Sequence, residues 1–549
     1  MKIVLDIETN STHDKIWLAV TRNIETGEVV SWKEASGLQK YLDSCDLIIM
    51  HNGICFDAPV LRETWKISIM PSQVCDTLVL SRLLSPSLEG GHSLAAWGER
   101  LGFPKGDFSD WDSGLTPEME TYCIQDTLVT EKLYKHLVSE LKHQKFDQRS
   151  IDLEHKVQAI IAKQERNGFK LDERKATVLL SELTSKLAAI EVEMQSIFPA
   201  KTIERVSEKT GKQLKAKVEV FNPGSRKQIG ERLIEKGWKP DKFTETGQPI
   251  VDEGTLEGLD IPEAKAINEY LMLQKRVAQI ESWLKALGSD GRVHGKVITN
   301  GAVTGRMTHM SPNMAQVPNS GSPYGEDCRD LWIVEKGYKL VGIDASGLEL
   351  RMLAHYMQDD AYTSEVVSGD IHTANQKAAG LETRNQAKTF IYAFLYGAGD
   401  AKIGKVVGAG AKEGQQLKAR FLQNTPSLKA LREKVGRVAT NSGTLPGLDG
   451  RRLQVRSDHA ALNTLLQSAG AIVMKQALVI LNDELRKAKI DYRFVANVHD
   501  EWQIEVEETR AEDAGKIGAK AIELAGVELQ MRCPLAGEYK VGNTWKETH

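Results

Sequence analysis

Cysteine is scarce and scattered. The six residues, Cys45, Cys55, Cys75, Cys123, Cys328 and Cys533, include no C-x-x-C pair. The pattern gives no structural zinc signal and fits a reducing intracellular compartment. Long apolar runs are missing as well. No 18 consecutive apolar residues occur, so no membrane span and no membrane partner are expected. The opening MKIVLDIETN carries an apolar run too short for a signal peptide, broken by Asp6. Internal repeats and low-complexity tracts are absent, which argues against repeat architectures and long disordered segments. Nor is there an excess of positive charge: the formal net charge is −4, which by itself argues against a nucleic-acid binder.

What is present is ordinary globular composition. The 549 residues are 41% hydrophobic and 27% charged, enough for large cores and three or four domains. The charge is unevenly divided. Residues 1–150 hold 15 Lys/Arg against 22 Asp/Glu, a net of −7, and the remainder holds 56 against 53, a net of +3. An acidic front section suits metal chemistry, and a mildly basic remainder suits polyanion contact. Ordinary surface variation accounts for the split equally well.

Residues 1–60 read as short strands: KIVLDIET, KIWLAVTR, VVSW and LIIMHNG. Residues 117–143 have a helical pattern, and so does the stretch from Ile151 to about Ile197, interrupted at Gly168. Residues 201–217, with six basic and two acidic side chains, read as an exposed loop. Asn222, Pro223 and Gly224 mark a turn, with Ser225 as N-cap of the next helix. A strand at YKLVGIDAS precedes mostly helices over 349–442, then a helix over 460–489 and final strands.

Those final strands contain NVHDEWQIEV, residues 497–506. Trp502, Ile504 and Val506 alternate with the period of a half-buried strand, and Phe494, Ala496 and Val498 continue the alternation before the acids. A carboxylate set there is costly unless something pairs with it. Asp344 also follows a buried-looking strand, in KLVGIDASGLELR. Two such carboxylates repel unless cations lie between them, and two magnesium ions about 3.5–4 Å apart would activate a hydroxyl and stabilise a leaving phosphate oxygen. Taken alone, the pair reads more simply as separate turn aspartates. Between them lies RNQAKTFIYAFLYGAG, in which Arg384, Lys388, Tyr392 and Tyr396 stand four apart. On a helix they form one slanted stripe about 18 Å long, two cations followed by two aromatics. Such a stripe would hold a triphosphate at one end and stack a base further along. The plainer reading is an amphipathic helix with Tyr in the core. Upstream, GDIHT adds His372 as a phosphate donor.

The front section has its own acids. Asp6 and Glu8, two apart on the first strand, share a face. HNGICFD supplies Asn52 and Asp57, and YCIQD places Tyr122 and Asp126 on one helix face. A lone D-x-E is usually a solvated edge. Four converging carboxylates need divalent cations and would then suit hydrolysis.

DASGLELR, RNQAKTFIYAFLYGAG and VHDE resemble, in order, the three polymerase motifs of family A DNA polymerases. NGAVTGRMTH, SGSPYGEDCR, HAALNTLLQSAGA and AKQERNGF resemble more narrowly the replicative polymerases of short-tailed phages of the T-seven type. The front trio resembles DEDD 3′–5′ exonucleases with a tyrosine in the last motif. The resemblance implies an α/β fold, an RNase H-like 3′–5′ exonuclease domain (1–145) followed by a right-hand polymerase. The latter divides into thumb (146–292), palm (293–356 and 463–549) and fingers (357–462). It implies primer extension with dNTPs on a DNA template, with proofreading. Asp344 and Asp500 would hold two Mg2+ ions, or Mn2+ in their place, with the Ala345 carbonyl as a further ligand. Arg384, Lys388 and His372 would grip the triphosphate, and Tyr392 would stack on the incoming sugar and base. Glu349 would exclude ribonucleotides, and Tyr396 and Gly397 would lie near the template base. His499 would contact the primer end, and Arg306 and Gln467 the minor groove. In the front domain Asp6, Glu8, Asp57 and Asp126 would hold metals and Tyr122 would orient the attacking water.

The chain departs from these relatives in the thumb. Where they carry a large thioredoxin-binding insertion, only about two dozen residues (199–221) stand here, so thioredoxin dependence is not expected. Tyr392 implies weak discrimination against dideoxynucleotides. No extra N-terminal region for a 5′-nuclease is expected. Primer-template DNA, dNTPs, a phage primase-helicase and a single-stranded DNA-binding protein are the expected partners, in the cytoplasm of an infected bacterial host. The rival readings are an exonuclease with a non-catalytic DNA-holding C-terminal region, a DNA scaffold and an RNA polymerase. The acids in both halves argue against the first two. The front motifs and Glu349 argue against the third.

Overall fold

The computed structural model describes residues 1–206, 211–455, 457 and 460–549. Five strands open the chain: β1 (Lys2–Thr9), β2 (Ile16–Asn23), β3 (Val29–Trp32), β4 (Leu47–Met50) and β5 (Val74–Asp76). They form one sheet in the order β3-β2-β1-β4-β5, antiparallel among the first three and parallel from β1 through β5, as an RNase H-like domain requires. The helices among and after them are α1 (Leu38–Asp43), α2 (Asp57–Thr64), α3 (Thr77–Leu84), α4 (Leu94–Leu101) and α5 (Pro117–His143). Thr116 starts α5, its hydroxyl accepting from the Met119 N–H, with Pro117 in the first turn where its missing N–H costs nothing. One face of β1 sends Ile3, Leu5 and Ile7 into a core with Leu38, Leu42 and Leu61. On the other side of the sheet, Leu18 and Val20 pack under Met119 and Cys123 of α5.

The next stretch runs α6 (Gln148–Asn167), β6 (Phe169–Leu171), α7 (Glu173–Ile197), β7 (Lys201–Val206), β8 (Gln213–Glu219), α8 (Arg226–Glu235), α9 (Glu253–Glu257), α10 (Pro262–Lys285) and β9 (Arg292–Val293). Gly168, at φ 63°, ends α6, a backbone angle that glycine adopts without strain. Ser225 caps α8 as expected. Leu153, Val157, Ile160 and Ile161 of α6 join the largest core of the chain, while α7 and α10 pack along one another. The loop expected over 201–217 is corrected: β7 and β8 pair as an antiparallel hairpin, Lys201 opposite Glu219 and Ile203 opposite Lys217. A two-stranded ladder satisfies its own backbone without a core beneath it, so the polar composition did not reveal it. Residues 207–210 of that call lie outside the described residues.

The remainder comprises β10 (Lys296–Ile298), β11 (Thr308–Met310), α11 (Gly325–Arg329), β12 (Trp332–Ile333), β13 (Tyr338–Ala345), α12 (Leu348–Met357), α13 (Asp360–Val367), α14 (Ile371–Ala379), α15 (Arg384–Leu395), α16 (Asp400–Lys405), α17 (Ala411–Asn424), α18 (Pro426–Ser442), β14 (Thr444–Pro446), β15 (Arg452–Gln454), α19 (Ala461–Lys487), β16 (Tyr492–Val498), β17 (Glu501–Glu507), α20 (Ala511–Glu528) and β18 (Gly537–Gly542). An antiparallel sheet in the order β16-β17-β13-β18 stands at the centre. By length and composition α19 is apolar enough to cross a membrane, and 78% of its most apolar window is buried inside the fold. His459, first residue of the quoted HAALNTLLQSAGA, lies outside the described residues.

The expectation of a half-buried β17 is also corrected. Trp502, Ile504 and Val506 enter the core as predicted, but Glu501, Gln503 and Glu505 on the opposite face are buried too. A bulge between Phe494 and Ala496 turns β16, so that Phe494 faces one core while Ala496 and Val498 face the other. Each buried acid has partners. Glu505 pairs with Arg292, accepts from the Glu335 N–H at 3.1 Å and lies 3.7 Å from Arg493. Glu501 accepts from Trp545 Nε1 at 2.6 Å and from His549 Nδ1 at 2.8 Å. The segment bearing these two donors passes so close that a Cβ on Gly342 would meet the Thr548 carbonyl oxygen at 2.3 Å.

Arg292→Met leaves Glu505 buried with its main partner gone, and is expected to cost about 3 kcal/mol of stability. The urea midpoint should fall accordingly and recover in large part when Glu505→Gln is added; an additive double mutant would refute this account of the pair.

Candidate active site

The register of β13 against β17 sets Asp344 directly opposite Glu501, and so brings Asp500 to the same end of the sheet. The Ala345 N–H donates to the Asp500 carbonyl at 3.2 Å, fixing the two segments together. Burial, first, and the neighbouring Glu349 push the Asp500 carboxyl up to about 7; burial and Glu501 push Asp344 up to about 6. Arg306 opposes the shift at Asp500 and lies near His499 and Tyr396 as well. His499 adopts φ 55° in the tight turn between β16 and β17, and burial holds its imidazole below the usual range. Tyr396 Oη donates to Glu349 at 2.7 Å. An open cleft of about 470 Å³ reaches Asp344, His499 and Asp500, and Lys275, Asn319 and Arg329 line its walls.

The stripe predicted on residues 384–396 lies on α15. Ala387, Phe390, Ile391 and Phe394 point into the core, Arg384 and Lys388 are exposed, Tyr392 is half-buried, and Tyr396 caps the helix end, 46% exposed. The buried face of this helix is therefore phenylalanine and aliphatic, with Tyr392 packed partly against it and Tyr396 outside. Tyr392 links two clusters: burial, with Glu349 and Asp500 nearby, raises its pKa, and its ring stands 6.2 Å from that of His372. His372 feels both Arg384 and Lys388, and its Nδ1 is buried without a partner. Arg384 Nε donates to Asp370 at 2.8 Å. Gly397, at φ 71°, sits beyond the helix end near Asn463, and Gln467 is half-buried on α19. No contact ties Gln467 to the other predicted residues among those described.

In the N-terminal sheet, Asp6 and Glu8 face α5 together, and ligand atoms of Asp6, Glu8 and Cys123 all lie within 4.8 Å of one another. Asp57 starts α2 and is buried, and Asp126 is buried with its Oδ1 unpartnered. Burial and the neighbouring Asp126 push Asp6 up to about 7; burial and Asp6 push Glu8 up to about 9; Asp57 is raised by the same causes. The sequence reading missed Lys105. Its Nζ lies 2.5 Å from Asp126 Oδ2 and 4.7 Å above the Tyr122 ring, so a cation already stands among the acids. A lone lysine in a Gly/Pro/Asp-rich loop carries no signal before the loop is folded onto α5. Cys123, beside Asp6 at 3.4 Å, was equally unforeseen.

Both acid groups fit divalent cations. Carboxylates that desolvation and mutual repulsion hold partly protonated, and a buried carboxylate oxygen with no partner, are sites that a hard cation with oxygen ligands satisfies.

The model of DNA polymerase family A matches residues 192–547. The chain is 36% identical to the DNA-directed DNA polymerases of Enterobacteria phage T3 and Escherichia phage T7, over the full length of both chains in each case. It is 27% identical to DNA polymerase I of Aquifex aeolicus over 98% of this chain and 95% of that one. The alignment with the phage T3 protein runs over 707 positions, well beyond the 549 residues here. Its fold is similar to the POL domain of Pol1 from M. smegmatis in complex with DNA primer-template and dNTP, with a TM-score of 0.83 at 19% identity, covering 100% of this chain and 96% of that one.

Raised carboxylates have a thermodynamic consequence. Asp6, Asp344 and Asp500 keep protons in the folded chain that free carboxylates lose near about pH 4. The folded state thus binds more protons between about pH 4 and 7, and its stability without divalent cations falls as pH rises through that window. In chelator, the melting temperature is expected to drop from pH 5 to pH 8, and added Mg2+ to raise it more at pH 8 than at pH 5. A gain independent of pH would contradict the assignment of these acids to cation sites.

Proposed function

The chain belongs to DNA polymerase family A, and from that premise we propose that its template-directed DNA synthesis is coupled to 3′–5′ proofreading in the N-terminal domain. The observation that carries the synthetic half is the convergence of Asp344 and Asp500 at one sheet end, facing a helix whose exposed stripe is cationic and then aromatic. We assign residues 1–145 to the exonuclease domain, 146–292 to the thumb, 293–356 and 463–549 to the palm and 357–462 to the fingers.

In this reading Asp344, Asp500 and the Ala345 carbonyl hold divalent cations, Mg2+ or Mn2+ in its place. When bound, those cations lower the pKa of the primer 3′-hydroxyl and neutralise charge on the leaving pyrophosphate. The protein supplies the geometry. Arg384, Lys388 and His372 take the triphosphate oxygens of the dNTP, with the unpartnered Nδ1 of His372 a ready donor or acceptor. Tyr392 stacks on the incoming sugar and base, and Glu349 crowds the position of a 2′-hydroxyl. The Tyr396–Glu349 hydrogen bond supports that role by holding the carboxylate in one place. Tyr396 and Gly397 border the template base, and His499 meets the primer end. Arg306 and Gln467 touch minor-groove acceptors, which test pair geometry without reading sequence. In the front domain Asp6, Glu8, Asp57 and Asp126 hold cations for hydrolysis, and Tyr122 orients the attacking water. Lys105 balances the charge of Asp126 and stands over the Tyr122 ring.

On the β7–β8 hairpin Lys201 pairs with Glu235 and Lys217 lies 3.9 Å from Glu219, while Lys215 is exposed; we infer that this basic bias lets the thumb tip track DNA directly, the plainer reading being a solvated tip. The partners inferred are primer-template DNA, dNTPs, a phage primase-helicase and a single-stranded DNA-binding protein, in the cytoplasm of an infected bacterial host.

Primer extension tests the reading. With Mg2+, the wild type should lengthen a recessed primer with dNTPs and shorten it without them. Asp500→Ala should only shorten it, and Asp6→Ala only lengthen it, each by a loss of at least about a thousandfold in the affected activity. Degradation by wild type and Asp500→Ala alike, with extension by neither, would favour the exonuclease with a DNA-holding region. Product length on primed single-stranded template should be the same with and without thioredoxin; a large gain would overturn the claim of independence.

A further inference from the structure

Asp370 was singled out by no motif, yet it joins the two helices that carry the phosphate donors. It is the N-cap of α14, the helix bearing His372. Its Oδ1 accepts from the backbone N–H groups of His372 at 3.2 Å and Thr373 at 3.3 Å. Its Oδ2 accepts from Thr373 Oγ1 at 2.7 Å and from Arg384 Nε at 2.8 Å. Arg384 is the first residue of α15, whose own start is fixed by the capping box of Thr383 and Gln386. One carboxylate therefore ties together the starts of α14 and α15.

The way Arg384 is held matters. The carboxylate takes Nε, and among the described residues the two terminal nitrogens make no hydrogen bond. Bonding at Nε fixes the guanidinium plane and leaves free the fork that meets phosphate oxygens in pairs. As an exposed ion pair, with side chains 52% and 45% accessible, the contact contributes little to stability. Its effect is on orientation. The hydrogen bonds from Arg384 and Thr373 also hold the Asp370 carboxyl far below the usual range, so it stays ionised at any working pH.

We propose that Asp370 is a positioning residue for DNA synthesis, one that presets Arg384 and the start of α14 to receive the triphosphate of the incoming nucleotide. The inference rests on the reading that Arg384 grips that triphosphate. It also has a definite sign. A carboxylate that competed with phosphate for Arg384 would weaken nucleotide binding, whereas one that orients the fork strengthens it.

The test uses the full chain and single-nucleotide incorporation on a primed template. Asp370→Ser retains a good helix cap but cannot reach Arg384. It should raise the KM for dNTP and the inhibition constant of inorganic pyrophosphate on the order of tenfold, with kcat within about threefold of wild type. The Kd for primer-template should not move. Asp370→Asn, which keeps the geometry and loses the charge, should fall between. In the Arg384→Ala background, Asp370→Ser should add nothing, because its effect passes through Arg384. A KM that falls or stays level in Asp370→Ser, or effects that multiply in the double mutant, would overturn the proposal. If Arg384→Ala leaves the KM for dNTP unchanged, the triphosphate reading fails and this inference with it. If Arg384→Ala raises KM and Asp370→Ser does not, the inference alone fails.

Discussion

The register between β13 and β17 is the constraint on which the cleft around Asp344 and Asp500 depends. Side chains on a strand alternate, so a slip of one residue would carry Asp344 and Glu501 to the opposite face and place Ile343 and Trp502 at the cleft. What resists the slip is burial on both sides. Trp502, Ile504 and Val506 are held in the largest core, and on the other face Glu505 is tied to Arg292, Glu501 to Trp545 and His549, and Gln503 to Thr548. A strand with one solvated face would lack that second anchor. The cost of burying three polar side chains is offset by their partners and yields a turn at His499 and Asp500 with a single allowed position.

Charge balance is handled differently in the two acid groups. At the sheet end, Arg306 opposes the shift at Asp500 while His549 sits against Glu501, so partners from separate segments share the load. In the N-terminal sheet one lysine stands against four carboxylates, and burial, with their mutual repulsion added, raises Asp6, Glu8 and Asp57 together. A net charge of −7 over residues 1–150 extends that surplus across the domain. Bound divalent cations would relieve both places, and the N-terminal one starts further from neutrality.

Where local pattern and local structure coincide, the sequence was easy to read. Asp6 and Glu8 share a face because a strand has period two, and Ser225 caps a helix because its hydroxyl accepts from an N–H of the first turn, that of Gln228. The helix of Arg384, Lys388, Tyr392 and Tyr396 was legible because its spacing repeats every fourth residue. The failures have a common cause. The buried polar face of β17 depends on Arg292 and Trp545, which come from other parts of the chain. Lys105 reaches Asp126 only once its loop folds over α5, and Asp370 reads as an ordinary cap until Arg384 arrives. Partners distant in sequence leave no periodicity. The bulge that separates Phe494 from Ala496 breaks the very alternation used to predict them.

The order of strands in the central sheet also bears on how the chain comes off the ribosome. The N-terminal sheet has its last strand by Asp76 and its covering helix by His143, whereas β13 must wait for β16, β17 and finally β18, ending at Gly542. Some 400 residues separate the two events, which at about 5–20 residues per second is roughly 20–80 s of synthesis. Through that interval the front sheet already has all its strands on a nascent chain, and from Ala345 onward β13, bearing Asp344 near its end, has neither neighbour in the sheet until β17 and β18 are made. Vectorial synthesis therefore imposes a sequence of assembly that the finished molecule no longer displays.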